Sequence, residues 1–227
     1  MLLHVPNVLN KDQVQIIRQK LQQEQLWISG KKTAGTQAQN VKDNLQLNAN
    51  SEVFKELSPF IADTLRKNPF IHSFALPNEV LLPLFNLYQN GGHYGNHVDS
   101  AIHYSAEKNK QIRTDVSITL FLSEPNEYEG GELIIEDTYG EHEVKLDAGD
   151  AVIYPATSLH RVEPVTQGMR ICACTWIQSM IKDDWQRSML FNLDKTIMSL
   201  RQQFGDTAET AQLTHHYHNL LRQWGDV

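Results

Sequence analysis

Tyr88-Gln89-Asn90-Gly91-Gly92-His93-Tyr94-Gly95-Asn96-His97-Val98-Asp99 places three glycines just ahead of an HxD triplet. Glycine weakens a helix interior by about 1 kcal/mol relative to alanine, so this segment reads as extended chain. Extended chain alternates its side chains between two faces, which sends His97 and Asp99 to the same side. Outward from it, short β runs are expected at 80–88, 115–122, 131–136, 142–146, 151–154 and 170–178. Glu129-Gly130-Gly131-Glu132 and Asp147-Ala148-Gly149-Asp150 supply the glycines of tight connections. Many short strands without alternating helices predict a sandwich or jelly roll rather than βα units.

Helical periodicity brackets this region. Val14, Ile17 and Leu21 recur behind a cap at Asn10 or Asp12, and a second helix after Asn50-Ser51 carries Val53, Phe54, Leu57, Ile61 and Leu65. The polar stretch 30–50 reads equally as a loop or an edge strand. Past Lys182, one stripe runs through Trp185, Met189, Leu193, Ile197, Leu200 and Phe204, and a second through Leu213, Tyr217, Leu220, Leu221 and Trp224. Both are expected to pack on the barrel or on a second subunit. The expected fold is therefore mainly β with helical additions. Its organisation is an N-terminal helical region at 1–77, a catalytic domain at 78–178, and a C-terminal helical region, an α-hairpin, at 179–227.

A formal net charge of -7 argues against the basic face that duplex binding requires, which disfavours nucleic acid as a partner. Residues 1–10 lack a basic start followed by an apolar stretch, and no run approaches bilayer length, so a soluble cytoplasmic protein without a membrane partner is expected. Cys172 and Cys174 lie two apart on a strand-like segment and share a face, a spacing suited to burial rather than to a disulfide.

His97, Asp99 and the distant His160 together offer two imidazoles and one carboxylate, the facial set that holds Fe(II) and leaves positions open for reactants. Taken alone, the triplet also fits a surface hydrogen-bonded pair, and His160 fits a rim histidine bonded to backbone. Arg170 stands at the head of an apolar run, Ile171 to Ile177, and with it reads as buried strand. Arginine is rarely buried without an anion. Its partner is either the carboxylate of a small ligand or a structural salt bridge. His93, His215, His216 and His218 receive no metal, and the polar stretch 105–113 reads as a loop over the site mouth.

The order Tyr88, His97-x-Asp99, His160, Arg170 closely resembles the iron(II)- and 2-oxoglutarate-dependent dioxygenases of the prolyl-hydroxylase type over roughly 77–178. With Gly130-Gly131-Glu132-Leu133, Gly149-Asp150-Ala151-Val152-Ile153-Tyr154-Pro155 and the Trp185-bearing hairpin, the whole chain resembles the bacterial PKHD-type hydroxylases. That resemblance implies a double-stranded β-helix core, Fe(II) bound by His97, Asp99 and His160, and 2-oxoglutarate held through its 5-carboxylate by Arg170 with Tyr88 nearby. It also implies L-ascorbate as reductant, O2 and a small-molecule or peptidyl substrate as reaction partners, and a link to iron homeostasis. Homodimer formation through the C-terminal stripes is a further expectation. The alternative is a cupin-like protein that binds metal or a small ligand without turnover, and a nucleic-acid demethylase is a third reading that the acidic balance disfavours.

Overall fold

The computed structural model describes residues 1–33, 38–105 and 108–227. Strand β1 (Leu3–Val5) leads into helix α1 (Lys11–Leu21), whose cap is Asn10: its side chain accepts from the Gln13 N–H while the Gln13 side chain accepts from the Asn10 N–H. Val14, Ile17 and Leu21 form its buried stripe. Strands β2 (Trp27–Ser29), β3 (Lys42–Asp43) and β4 (Leu45–Leu47) follow, so the described part of 30–50 includes one edge strand, β3, and one inner strand, β4, rather than loop alone. Helix α2 (Glu52–Lys67) starts at the predicted Ser51 cap. Helix α3 (Pro69–Ala75), which periodicity did not reveal because it has seven residues, is started by Asn68 as cap and Pro69 at its first position.

The β region comprises β5 (Pro77–Val80), β6 (Leu84–Tyr88), β7 (His93–His97), β8 (Ile102–Ser105), β9 (Lys110–Arg113) and β10 (Val116–Phe121). It continues with β11 (Tyr128–Gly130), β12 (Leu133–Asp137), β13 (Gly140–Val144), β14 (Ala151–Pro155), β15 (His160–Val162), β16 (Val165–Gly168) and β17 (Arg170–Ser179). Eight strands form a large sheet ordered β1-β14-β10-β17-β6-β4-β2, with β5 paired to the far end of β17. A smaller sheet has the order β13-β12-β15-β7-β3. The two face each other in a jelly roll, as expected. Of segment 105–113, read as a loop, residues 106 and 107 lie outside the described residues, while Ser105 and Lys110–Arg113 belong to the β8–β9 antiparallel ribbon, which pairs Ile102 with Arg113.

Period-two alternation divides the large sheet into two chemically distinct faces. Ile118 and Leu120 of β10, Ile171 and Ala173 of β17, and Ile153 of β14 join Ile17, Ile61 and Leu65 of the helices in one core. The opposite face, carrying Tyr88, Phe121, Val152, Tyr154 and Cys172, meets Leu133, Ile135 and Val162 of the small sheet in a second. Burial of an aliphatic side chain of this kind is worth about 1.5–3 kcal/mol, so the helices fix the sheet from behind and leave its inner face to carry the polar groups of a cavity.

Helices α4 (Asp184–Phe204) and α5 (Ala208–Trp224) form the expected hairpin. The second stripe packs as expected, with Tyr217, Leu220, Leu221 and Trp224 against Leu76, Ile181 and Leu190. The first does not pack on the barrel along its length: Ile197 is buried, but Trp185 and Phe204 are each 68% exposed. The helix instead turns Leu190 and Phe191 inward, because Phe74 of α3 meets Phe191 edge-on at 5.3 Å. Among the described residues, no helix is long and apolar enough to cross a membrane.

Gly149 turns the chain into β14 with φ +102, and a Cβ there would stand 2.3 Å from the Leu9 carbonyl oxygen. Its own carbonyl accepts from the Leu9 N–H at 3.0 Å, which ties the start of α1 to the barrel. Gly149→Ala should therefore destabilise the protein by about 2 kcal/mol or more, read from the midpoint of urea unfolding; an unchanged midpoint would show that the junction relaxes freely.

Candidate functional site

His97 closes β7, and His160 opens β15 directly opposite it. The pairing of these strands is irregular: His160 faces His97 while Val162 faces Tyr94, so β7 takes three steps where β15 takes two. This bulge turns Tyr94 and His97 to the same face and stacks their rings at 3.5 Å and 16°. Asp99 lies just past the end of β7, and its Oδ2 accepts a 2.6 Å hydrogen bond from Ser117 Oγ of β10.

Each histidine is oriented through its own backbone. His97 Nδ1 donates to the Gly95 carbonyl at 2.8 Å, and His160 Nδ1 donates to the Ser158 carbonyl at 3.0 Å. A carbonyl can only accept, so each Nδ1 carries the hydrogen and each Nε2 keeps its lone pair. One donor atom from each of His97, Asp99 and His160 lies within 4.8 Å of the other two, and His160 Nε2 stands 3.9 Å from Asp99 Oδ2. Two neutral imidazole nitrogens and a carboxylate oxygen converging in this way fit a divalent iron ion. Burial, and then the adjacent His160 ring, push His97 down to about 4, which keeps it uncharged at neutral pH.

The three groups open into a cavity of about 530 Å³ between the sheets, whose lining also includes Tyr88, Arg170 and Trp176. Arg170 is 1% exposed and pairs with Tyr88 across β17 and β6. Its Nη1 donates to Cys172 Sγ at 3.0 Å, while Nε and Nη2 have no hydrogen-bond partner. The guanidinium carbon lies 5.2 Å from both the Tyr88 and Phe121 ring centroids. Neither cysteine is in a disulfide; their sulfurs are 3.9 Å apart. The Cys172 thiol is drawn down to about 6 by its contact with Cys174 and by Arg170, against the effect of burial. The salt-bridge alternative for Arg170 finds no carboxylate partner among the described residues.

The structure thus brings Tyr88, His97, Asp99, His160 and Arg170 to one cavity, which His103 also lines without belonging to the donor triad. His215 contacts Asn219 on exposed α5, and His103 stacks on Trp176 at 4.6 Å within the cavity lining. Sequence reading missed Ser117, Tyr94 and Lys42. Ser117 and Thr119 were visible as polar residues on alternate positions of Val116–Phe121, a strand buried throughout. Lys42, in the polar stretch before α2, carried no such signal.

Two family profiles match the chain: the 2OG-Fe(II) oxygenase superfamily over residues 83–178 and the PKHD-type hydroxylase C-terminal domain over residues 184–226. A PKHD-type hydroxylase of Hyphomonas neptunium is 54% identical over 227 residues, covering 100% of both chains. Among solved structures, a Pseudomonas putida prolyl-4-hydroxylase aligns with TM-score 0.53 at 18% identity, covering 78% of this chain and 92% of that one. A prolyl hydroxylase from Trichoplax adhaerens, solved with a hypoxia inducible factor peptide fragment, gives TM-score 0.57 at 14% identity, covering 83% and 86%. At these identities the structural likeness speaks to the fold.

The depressed pKa of His97 has a measurable consequence for the metal-free protein. Between about 4 and 6.5 the unfolded chain binds the His97 proton and the folded one does not, so stability rises with pH through that window. The thermal midpoint should accordingly drop as pH falls from 6.5 toward 4, and His97→Gln should flatten that part of the profile; equal acid sensitivity in the two proteins would remove His97 as the cause.

Proposed function

The chain belongs to the PKHD-type hydroxylases of the 2OG-Fe(II) oxygenase superfamily, and from that premise we propose that His97, Asp99 and His160 hold the Fe(II) while Arg170, beside Tyr88, takes the far carboxylate of 2-oxoglutarate. The enzyme is a 2-oxoglutarate-dependent hydroxylase. The observation that carries the residue assignment is the buried guanidinium with two unpartnered N–H-bearing nitrogens in the cavity onto which the three donors converge. An unpaired buried charge costs several kcal/mol, and a carboxylate accepting from Nε and Nη2 together removes that cost with fork geometry.

Bound Fe(II) supplies the oxidising chemistry: O2 is consumed, 2-oxoglutarate loses CO2 to become succinate, and a C–H bond of the acceptor becomes C–OH. The protein's own groups position the reactants. Nδ1 hydrogen bonds from His97 and His160 fix both ring planes, and Ser117 holds the Asp99 carboxylate. Arg170 and Tyr88 set how deep the cosubstrate sits, and the two apolar cores keep bulk water away from the reacting end. L-ascorbate is read as the reductant that maintains ferrous iron. The acceptor is read as a small molecule or a peptidyl side chain.

The experiment that tests the assignment separates metal binding from cosubstrate binding. Arg170→Ala should weaken 2-oxoglutarate binding by about a hundredfold while Mn(II) binding, followed by electron paramagnetic resonance, stays nearly intact; His97→Ala should lose the metal and with it succinate release. Equal loss of both ligands in Arg170→Ala would count against the anion role. Ser117→Ala removes the hydrogen bond to Asp99 and should lower metal affinity by about ten- to a hundredfold by competitive chelation, and a change below twofold would deny it an orienting role.

A further inference from the structure

Lys42 is a second cation in this cavity, one that no described carboxylate neutralises. It lies on β3, the edge of the small sheet, in register with Tyr94 of β7. Alternation turns Lys42 inward and leaves Asp43 exposed. The side chain is buried, at 5% residue exposure, and lines the cavity that also holds Asp99, His160 and Arg170. Its ammonium stands 4.9 Å from the Tyr94 ring centroid, and that ring is the one stacked on His97. Lysine is seldom this buried without an anionic partner. Among the described residues the nearest electrostatic influences are Cys174, Asp99 and Cys172, and none gives it a hydrogen bond; burial pushes its pKa down to about 8.

Charge balance indicates which anion is missing, on the iron and 2-oxoglutarate reading given above. A divalent iron, the Asp99 carboxylate, a 2-oxoglutarate dianion and the Arg170 guanidinium together carry no net charge, and the lowered Cys172 thiol lies against Arg170 Nη1 rather than against Lys42. Lys42 then remains an ammonium with no anion bonded to it in a low-dielectric chamber, where an unpaired charge is expensive. Ascorbate serves only to restore ferrous iron, so the reactant that has to sit beside the metal and can supply the counterion in each turnover is the acceptor. A single ammonium calls for a monoanion, and a lone ammonium without a guanidinium fork beside it suits a carboxylate better than a phosphate dianion. The volume of about 530 Å³ lies within the range of sites that enclose ligands larger than a five-carbon acid, which leaves space for a second molecule. Gln46 and Asn86 line the same cavity, and the Gln46 amide donates to Asn86 Oδ1 at 2.8 Å, so this part of the wall is polar.

We propose that Lys42 is a carboxylate-binding subsite separate from the one given to Arg170, and that the acceptor hydroxylated here carries a carboxylate seated beside the Tyr94–His97 ring pair. Lys42 is thereby a specificity-determining residue.

The test uses the full chain loaded with Zn(II), which is redox-inert, and saturated with 2-oxoglutarate. Acetate is titrated as the probe, acetamide serves as its neutral counterpart, and the Tyr94 ring resonances are followed by NMR. Acetate should bind saturably and acetamide should not; Lys42→Met should weaken acetate binding by about tenfold or more, and Lys42→Arg should retain it. Absence of saturable acetate binding, equal binding of acetamide, or unchanged binding in Lys42→Met would overturn the proposal. If Lys42→Met does not fold, the acetate and acetamide contrast on the unsubstituted chain decides. Calorimetry of 2-oxoglutarate on the same proteins separates the two readings. A tenfold weaker 2-oxoglutarate affinity in Lys42→Met would assign Lys42 to the cosubstrate and overturn the acceptor role, whereas failure of the unsubstituted protein to bind 2-oxoglutarate would overturn the parent reading and this one with it.

Discussion

A guanidinium buried between two sheets, with no carboxylate among the described residues to match it, is the demand around which this molecule is arranged. Arg170 begins β17, which pairs with both β10 and β6 in the large sheet, so its backbone cannot retreat from the interior. The neighbours accommodate it. Tyr88 and Phe121 offer ring faces, Cys172 offers a polarisable acceptor, and Gly131 gives clearance: at φ +69, a Cβ on that residue would stand 3.0 Å from Arg170 Cδ and 2.7 Å from Val165 Cγ2. The second glycine of Gly130-Gly131 therefore makes room for the arginine as well as turning the chain.

The same sheet solves the opposite problem at the other end of the cavity, where polar groups must be held still. Helices cover only the back of the large sheet, and their apolar stripes against Ile118, Leu120, Ile171 and Ala173 make the strands rigid. Rigid strands can then present Ser117 to Asp99, and the β7 bulge can present Tyr94 to His97, without loops intervening. Both imidazoles are oriented by carbonyls two residues earlier in the chain, an arrangement that depends on local backbone shape more than on distant side chains.

Much of this was legible in the amino-acid order, because strand alternation is a local property. Ile171, Ala173 and Ile177 against Arg170, Cys172 and Cys174 describe two faces before any partner strand is known. His97 and Asp99 share a side for the same reason, and the distance in sequence to His160 and Arg170 matches a family pattern. What was not legible depends on pairing. Ser117 acquires its meaning only when β10 lies beside Asp99, and Lys42 only when a two-residue strand joins the edge of the small sheet. The side of α4 that packs within the chain depends on pairing too: Trp185 and Phe204 lie on a periodic stripe, but Phe74 selects Phe191 and Leu190 as the side buried against α3.

One end of the chamber is shut. Phe121, Tyr128, Val165 and Arg170 are all buried there, whereas Val98 and Val41, near the donor triad, are exposed to solvent. An occupant against the buried Arg170 lies deeper than one beside the exposed Val98 and Val41, as plates lie in a stack. With the cosubstrate on Arg170 as proposed, an acceptor that arrived early would bar its way, so that assignment carries a cosubstrate-first order of arrival with it.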